Sequence, residues 1–285
     1  MPWLILALAL LLPRPAPAQI YSEADLDVVR GSMADNLELM ATVDIPKALP
    51  VSLRARASGV SIVFTDAGDN PLAFWSRPDR QTIHVPLESV RFFDDLSILF
   101  AWFERNGCRG EYIQSYLYAL LREGRPMGPP LAAFGLDRGA ALRDAFVDDV
   151  SGKLLKSGIQ FILAHEMGHL MLDHRPGLTG AASQRQEMAA DAFALDVFAE
   201  QGAPPAGAVI YFLAGRWRDP IGASALESTH PVSPDRIAAV ARRMAESPGD
   251  FSFAEPDREN GRQQVMMIAR ELGRIAALTS DEQIL

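Results

Sequence analysis

The sequence predicts an α+β fold that is mainly helical and contains one small antiparallel sheet. Helix-compatible segments, several of them amphipathic, dominate the chain. Three short segments at residues 60–65, 72–76 and 82–85 are rich in strand-forming residues and separated by turn-forming residues, which predicts the sheet. The predicted helices cover residues 22–40, 91–106, 111–123, about 184–201, about 234–246 and 259–277.

Composition bounds the class of protein. The 285-residue chain is 48% hydrophobic, which is sufficient for a substantial core, and its formal net charge is −9. This acidic balance argues against nucleic acid or an anionic lipid surface as the main partner. Cys108 is the single cysteine, so an intramolecular disulfide is excluded, and we expect its side chain to be buried. The sequence does not indicate an oligomeric state.

The N-terminus has the pattern of an export signal. Residues 3–12 form an unbroken apolar stretch that is shorter than the roughly 20 residues needed to span a bilayer. Ala16-Pro17-Ala18 gives the small-x-small pattern of a cleavage site, so we predict a signal peptide at residues 1–18 and a periplasmic or secreted protein. The alternative is an uncleaved N-terminal anchor. No later apolar run reaches transmembrane length.

Residues 165–169 read His-Glu-Met-Gly-His, an HExxH motif that follows the apolar, helix-compatible run at residues 159–164. Residues four apart lie on one face of an α-helix, so His165 and His169 can point at a single metal ion with Glu166 beside them. A catalytic zinc requires a third protein ligand and keeps its fourth position for water. The motif therefore predicts a metal site only if the chain supplies another ligand.

A second predicted helix supplies candidates for that ligand. Residues 175–183 contain one proline and two glycines and predict a turn that folds the next helix back over the first. Ser183 and Gln186 fit a capping box, and Gly202 suits the helix C-terminus, which gives a helix over about 184–201. Glu187 then lies in the first turn of this helix.

Glu187 is the candidate third metal ligand, and Asp191 lies one turn further along the same face. The Asp191 carboxylate can accept the free ring N–H of a ligating histidine, which fixes the tautomer of that histidine. The alternative is that both residues are a solvated acidic face. That alternative would leave the two histidines and Glu166 on an apolar helix without partners, which is energetically costly.

His230 precedes a further predicted helix. Ser233 suits the N-cap and Pro234 the first helical position, so this helix begins near residue 234. A histidine held near the metal can donate a hydrogen bond to the oxyanion of a tetrahedral intermediate. From spacing alone, His230 is equally well explained as a surface loop residue.

Together these motifs resemble the gluzincin metallopeptidases of the CAAX-prenyl-protease-like family. The motifs that carry the resemblance are HExxH at residues 165–169, Glu-Met-Ala-Ala-Asp at 187–191, and Thr-His-Pro at 229–231 followed by Arg236. Many members have a longer insertion before the third-ligand helix, so this chain resembles a divergent soluble branch or a neighbouring gluzincin family. The implied fold is a zincin-like domain whose edge strand binds the substrate backbone.

The resemblance also implies a role for each matched residue. One zinc ion per chain would be held by His165, His169 and Glu187. Glu166 would be the catalytic base and Asp191 the carboxylate behind the ligands. His230 and Arg236 would lie on the substrate side, and Arg236, like Asp191, would support the metal ligands without binding the ion.

The implied function is zinc-dependent hydrolysis of peptide bonds in exported or envelope proteins, with quality control of unfolded proteins as one form. Glu166 would take a proton from the water that zinc activates and pass it to the leaving amine. Two alternatives remain open: a zinc-stabilised binding or chaperone-like module without catalysis, and a zinc amidase that acts on cell-wall peptides.

The domain organisation follows from these assignments. After the signal peptide, residues 19–50 predict a helical segment that ends in a linker, because 45–50 contains two prolines. Residues 51–285 would form the zinc metallopeptidase domain. Two further histidines have structural interpretations: His84 lies on a strand, with the cleft as the alternative, and His174 is expected to cap the C-terminus of the motif helix.

Overall fold

The computed structural model describes residues 20–68, 70–218 and 232–278. The predicted signal peptide at residues 1–18 and the candidate residue His230 lie outside the described residues. No helix among the described residues has both the length and the apolar character needed to cross a membrane. The structure confirms the α+β class, because helices predominate and one small sheet is present.

The N-terminal part is helical up to the sheet. Ser22 caps the first helix by accepting the backbone N–H of Asp25, and the Asp25 carboxylate bonds back to the Ser22 backbone. The segment at residues 45–50, for which we predicted a linker, contains a short helix in which Ile45 and Pro46 are buried. The helices are α1 (Glu23–Leu39), a π-helical turn (Met40–Asp44), α2 (Ile45–Ala48) and α3 (Val51–Ser58).

The sheet is mixed, so the prediction of an antiparallel sheet is wrong. It consists of β1 (Ser61–Thr65), β2 (Trp75–Arg77) and β3 (Thr82–Pro86), in the order β1-β3-β2. The short turn at residues 78–81 makes β2 and β3 antiparallel. The connection at residues 66–81 is long enough to bring β3 back parallel to β1, with Ser61 opposite Thr82.

The helices after the sheet form most of the core. They are α4 (Leu87–Arg105), α5 (Glu111–Leu117) with a π-helical turn (Tyr118–Arg122), α6 (Pro130–Ala133), α7 (Arg138–Ala141), α8 (Ala145–Met171), α9 (Gly180–Gln201), α10 (Ala208–Arg218), α11 (Pro234–Glu246) and α12 (Arg258–Ala277). Helix α8 is central, since α4, α9 and α10 all pack against it. Residues 158–171 of α8 are buried on every face, as expected for a helix inside a core.

Two local predictions are wrong. Ser183 is not the N-cap of α9, because the helix begins one turn earlier at Gly180, and Ser183 is a buried helical residue. Glu187 therefore lies beyond the first turn of α9. Cys108 is exposed rather than buried, because it lies in the turn region that follows the end of α4, next to Gly107 with φ of +63°.

Candidate metal centre

The HExxH motif lies on α8, as predicted, and its histidines share one face of the helix. His165 and His169 are both buried, and their Nε2 atoms are 3.1 Å apart. The apolar residues that precede the motif anchor this end of α8 in the core, which removes the histidines from solvent. The two imidazoles thus present their Nε2 atoms to a common point.

Helix α9 brings Glu187 to the same point. Its Oε2 is 3.4 Å from His165 Nε2, and its Oε1 is 3.3 Å from His169 Nε2. One ligand atom from each of the three residues lies within 4.8 Å of the others, and all three residues are buried. The structure therefore contains a His-His-Glu group that can hold a metal ion.

Gly168 allows the two helices to approach closely enough for this group to form. A Cβ atom at position 168 would lie 3.2 Å from Ala190 Cα and 3.1 Å from Phe193 Cβ, both on α9. Any larger side chain would press on the backbone of α9. The small residue inside the motif thus sets the distance between the helix with two histidines and the helix with Glu187.

Asp191 contacts His165 on the side away from Glu187. The His165 Nδ1 is 2.9 Å from Asp191 Oδ1, so this carboxylate accepts the ring N–H that does not face the ligand group. Burial alone would raise the pKa of Asp191, but the adjacent Arg236 guanidinium and His165 hold it below its usual range. Asp191 is thus an ionised acceptor that fixes the His165 tautomer with Nε2 available as a ligand.

Arg236 joins the two carboxylates of α9. It donates from Nε and Nη2 to the two oxygens of Asp191, each at 2.8 Å, and its Nη1 lies 2.8 Å from Glu187 Oε2. The residue is fully buried and lies in the first turn of α11, where Ser233 caps the helix as predicted. Arg236 is therefore a helical residue rather than a loop residue, and it balances the buried charge of the carboxylates beside the ligand histidines.

Other acidic groups affect the protonation of His165. Burial alone would lower the pKa of His165, but Tyr211, Asp191 and Glu187 together raise it well above its ordinary value. The Tyr211 ring lies 6.4 Å from the His165 ring and belongs to α10. The ligand group therefore attracts positive charge, whether from a proton or from a metal ion.

Glu166 adds a buried carboxylate to the centre. It is 4% exposed, and its Oε2 has no hydrogen-bond partner among the described residues. A buried carboxylate oxygen without a donor is costly, so its presence beside two histidines indicates a polar partner that is not among the described residues. A water molecule beside a metal ion would be such a partner.

The ligand spacing and the charge of this centre are compatible with a divalent metal ion. Ligand atoms about 2.05 Å from zinc at tetrahedral angles lie about 3.3 Å apart. Here the two histidine Nε2 atoms are 3.1 Å apart, the Glu187 Oε1 is 3.3 Å from His169 Nε2, and the Glu187 Oε2 is 3.4 Å from His165 Nε2. Three buried carboxylates, at Glu166, Glu187 and Asp191, and one buried guanidinium, at Arg236, leave a formal charge of −2 among these described side chains with neutral histidines. A divalent cation would balance that charge.

His174 also reaches the centre, which the sequence did not predict. Its Nδ1 lies 2.9 Å from His169 Nδ1, although we expected only a cap for α8. On a continuous helix His174 would be rotated by about 140° from His169. The helix ends at Met171 and Asp173 adopts φ of +53°, so the chain turns back and places His174 against His169.

A small cleft of about 50 Å³ opens beside His169. The cleft lies between the residues around the metal ligands on α8 and α9 and the end of strand β2 with the turn that follows it. Its lining includes Ser76, Pro78, His169, His174, Gln186 and Glu187. The strand β2, which contains Ser76, lies at the edge of the sheet. His84 lies on β3, where its ring stacks on Trp75 at 4.9 Å, and its contribution to the cleft stays a prediction.

Comparison with known proteins points to the same stretch of the chain. Residues 143–254 match the sequence model of a peptidase family described as Peptidase U49. The matched residues include the HExxH motif, Glu187, Asp191 and Arg236. Searches of curated proteins and of solved structures each gave no significant match. The family match supports a peptidase function, and the ligand group is compatible with a metal site.

Proposed function

We propose that this protein is a zinc metalloendopeptidase of the gluzincin type. The observation that carries the proposal is the buried His165, His169 and Glu187 group, whose ligand atoms all lie within 4.8 Å of one another. Two imidazoles and one carboxylate form a donor set that suits zinc among the available divalent ions. The match to a peptidase family over the same residues supports the reaction class.

Each residue of the centre has a role in amide hydrolysis. When bound, zinc supplies a Lewis acid for the scissile carbonyl and lowers the pKa of water towards about 7. His165, His169 and Glu187 hold the ion, and Asp191 keeps the His165 tautomer that coordinates through Nε2. Arg236 keeps Asp191 ionised and contacts both α9 carboxylates, which holds them in place.

Glu166 is the proposed general base. Its Oε2 is available for a water proton because no described residue occupies it. The carboxylate takes this proton as the water attacks the amide carbon, and then delivers it to the leaving nitrogen as the C–N bond breaks. His230 is proposed as the donor to the oxyanion, on the strength of the Thr-His-Pro resemblance.

We propose that the substrate is a peptide or an unfolded protein outside the cytoplasm. The signal-like N-terminus supports an exported enzyme that acts on exported or envelope proteins, with quality control as its narrower form. The edge strand β2 supports the binding mode, since its Ser76 lines the cleft beside His169. An extended substrate backbone can pair with this edge and pass the metal ligands.

A Glu166→Gln variant tests the chemistry. It should bind zinc like the parent but lose at least about 10²-fold in cleavage rate, because the amide cannot accept a proton. Casein or peptide-library cleavage, with and without a chelator, and metal content by mass spectrometry are the measurements. Glu200→Gln, at an exposed carboxylate of α9, is the matched control and should cleave as the parent does.

Other outcomes identify the alternatives. Parent-like cleavage by Glu166→Gln would contradict the assignment of the base. Bound zinc without chelator-sensitive cleavage of any peptide would favour the binding or chaperone-like module. Cleavage of cell-wall peptides alone would favour the amidase.

A further inference from the structure

We infer that His174 is a positioning residue that holds the ring of His169 in the orientation needed for metal binding. The two Nδ1 atoms are 2.9 Å apart, and the ring planes are inclined by 71°. The Nε2 of His169 faces His165 and Glu187, so its Nδ1 is the nitrogen left for an outer partner. Ligating histidines nearly always donate this second ring N–H to such a partner.

The contact defines the tautomers of both rings. A neutral His169 that binds metal through Nε2 has its proton on Nδ1 and donates it. His174 must then accept at its own Nδ1 and carry its proton on Nε2. The ring of His174 also lines the cleft, so its position links the metal ligand to the space beside it.

The turn that carries His174 is tied to two other elements. Arg56 of α3 donates to the carbonyl of Leu170 at 2.6 Å and forms an ion pair with Asp173. On the other side, the Gln186 side chain accepts the Arg175 backbone N–H at 2.8 Å and donates to the Arg175 carbonyl at 3.0 Å. These contacts fix the backbone on both sides of His174, so its ring has a defined place against His169.

The two ligand histidines are therefore supported in different ways. His165 donates to Asp191, whose charge is balanced by Arg236, whereas His169 donates to a neutral imidazole. A carboxylate behind His169 would add a further negative charge to a centre that already has −2. The imidazole provides the acceptor without that charge.

Zinc affinity tests this inference, which rests on the proposed zinc site. His174→Leu removes the acceptor and should weaken zinc binding by roughly 10–100-fold. His174→Asn places an amide near the position of Nδ1 and should recover affinity to within a few-fold of the parent. A chelating-dye competition measures the affinity, and the visible absorption of the cobalt-loaded protein reports the ligand geometry.

Controls separate this role from a general effect on folding. Leu172→Ala, at an exposed residue of the same turn, should leave zinc affinity and the cobalt spectrum unchanged. The thermal midpoint of the metal-free protein should be similar for all variants. If His174→Leu fails to fold, the comparison of His174→Asn with the parent still decides, because the inference requires near-parent affinity and an unchanged spectrum.

The results distinguish failure of the inference from failure of the proposed function. Parent-like zinc affinity and spectrum in His174→Leu would overturn the positioning role and leave the peptidase proposal standing. Equal weakening in His174→Leu and His174→Asn would also overturn it. A parent protein that binds no zinc would overturn both.

Discussion

At the scale of single residues, Arg236 is the group on which the buried charges of the centre depend. It is fully buried and contacts Asp191 twice and Glu187 once. Burial of two carboxylates costs several kcal/mol for each ion unless a cation compensates. The guanidinium has the planar donor set that can satisfy both partners, which a lysine would not reproduce.

Replacement of Arg236 should therefore be strongly destabilising. We expect Arg236→Leu to lower the free energy of unfolding by about 3–5 kcal/mol, because two buried carboxylates lose their partner. Urea unfolding measures the change. Arg243→Leu is the matched control on the same helix, since its ion pair with Asp196 is exposed and should contribute about 0–1 kcal/mol. Equal losses in the two variants would contradict the role given to Arg236.

The spacing of residues in the sequence predicted the parts of the centre that lie on regular helices. His165, His169 and Glu166 share one turn of α8, so their relation follows from helical periodicity. Glu187 and Asp191 share a face of α9 for the same reason. His174 was not predicted as a member of the centre, because its position depends on the left-handed conformation of Asp173, which spacing alone does not show.

At the scale of elements, the contact between α8 and α9 determines the ligand geometry. One helix supplies two ligands and the other supplies the third, so the distance between their axes sets the separations of 3.3 and 3.4 Å between the histidines and Glu187. At Gly168, within the motif, an added Cβ would lie only 3.2 Å from the α9 backbone at Ala190 Cα. A shift of α9 by a few tenths of an ångström at this contact would move Glu187 relative to the two histidines.

Gly168→Ala tests this dependence. The added Cβ would lie 3.2 Å from Ala190 Cα, so α9 must shift outward, and we expect zinc affinity to fall by about tenfold or more. Gly152→Ala is the control on the same helix, because a Cβ there meets no atom within 4 Å. That control should stabilise α8 by roughly 0.5–1 kcal/mol and leave zinc affinity unchanged. Unchanged affinity in Gly168→Ala would show that α9 adapts without moving Glu187.

Element boundaries and strand directions were less predictable than the site. The helices could be located because their apolar residues recur with helical periodicity over many residues. The start of α9 was predicted one turn too late, because Ser183 and Gln186 have the spacing of a capping box. Gln186 instead bonds to the backbone of Arg175. The parallel pairing of β1 with β3 joins two strands that are not adjacent in the sequence. The alternation of polar and apolar residues within each strand does not indicate which strands pair or in which direction.

At the scale of the whole molecule, the centre depends on segments outside the stretch that matches the peptidase family. The match begins at residue 143, yet α4 packs along α8 and Arg56 of α3 holds the end of that helix. The edge strand beside the cleft also precedes the matched stretch. The predicted division of the chain at residue 50 stays a prediction.

Metal binding should stabilise the entire fold, because the buried centre has a formal charge of −2 when its histidines are neutral, as ligands must be. A ligand that binds only the folded state at about 100 times its Kd adds about 2.7 kcal/mol to the free energy of unfolding. For a chain of this size, that gain corresponds to a rise of roughly 5 °C in Tm. We expect zinc to raise the Tm of the chelator-treated protein by about this amount, in proportion to the logarithm of zinc concentration.

The Glu187→Ala variant provides the comparison that ties this stabilisation to the centre. Without the third ligand, the zinc-dependent rise in Tm should largely disappear and the bound zinc should fall below one equivalent. Glu200→Gln, on the exposed face of the same helix, should retain the full rise. A parent-like response in Glu187→Ala, measured by differential scanning calorimetry, would remove Glu187 from the ligand set. It would then locate the stabilising zinc elsewhere in the protein.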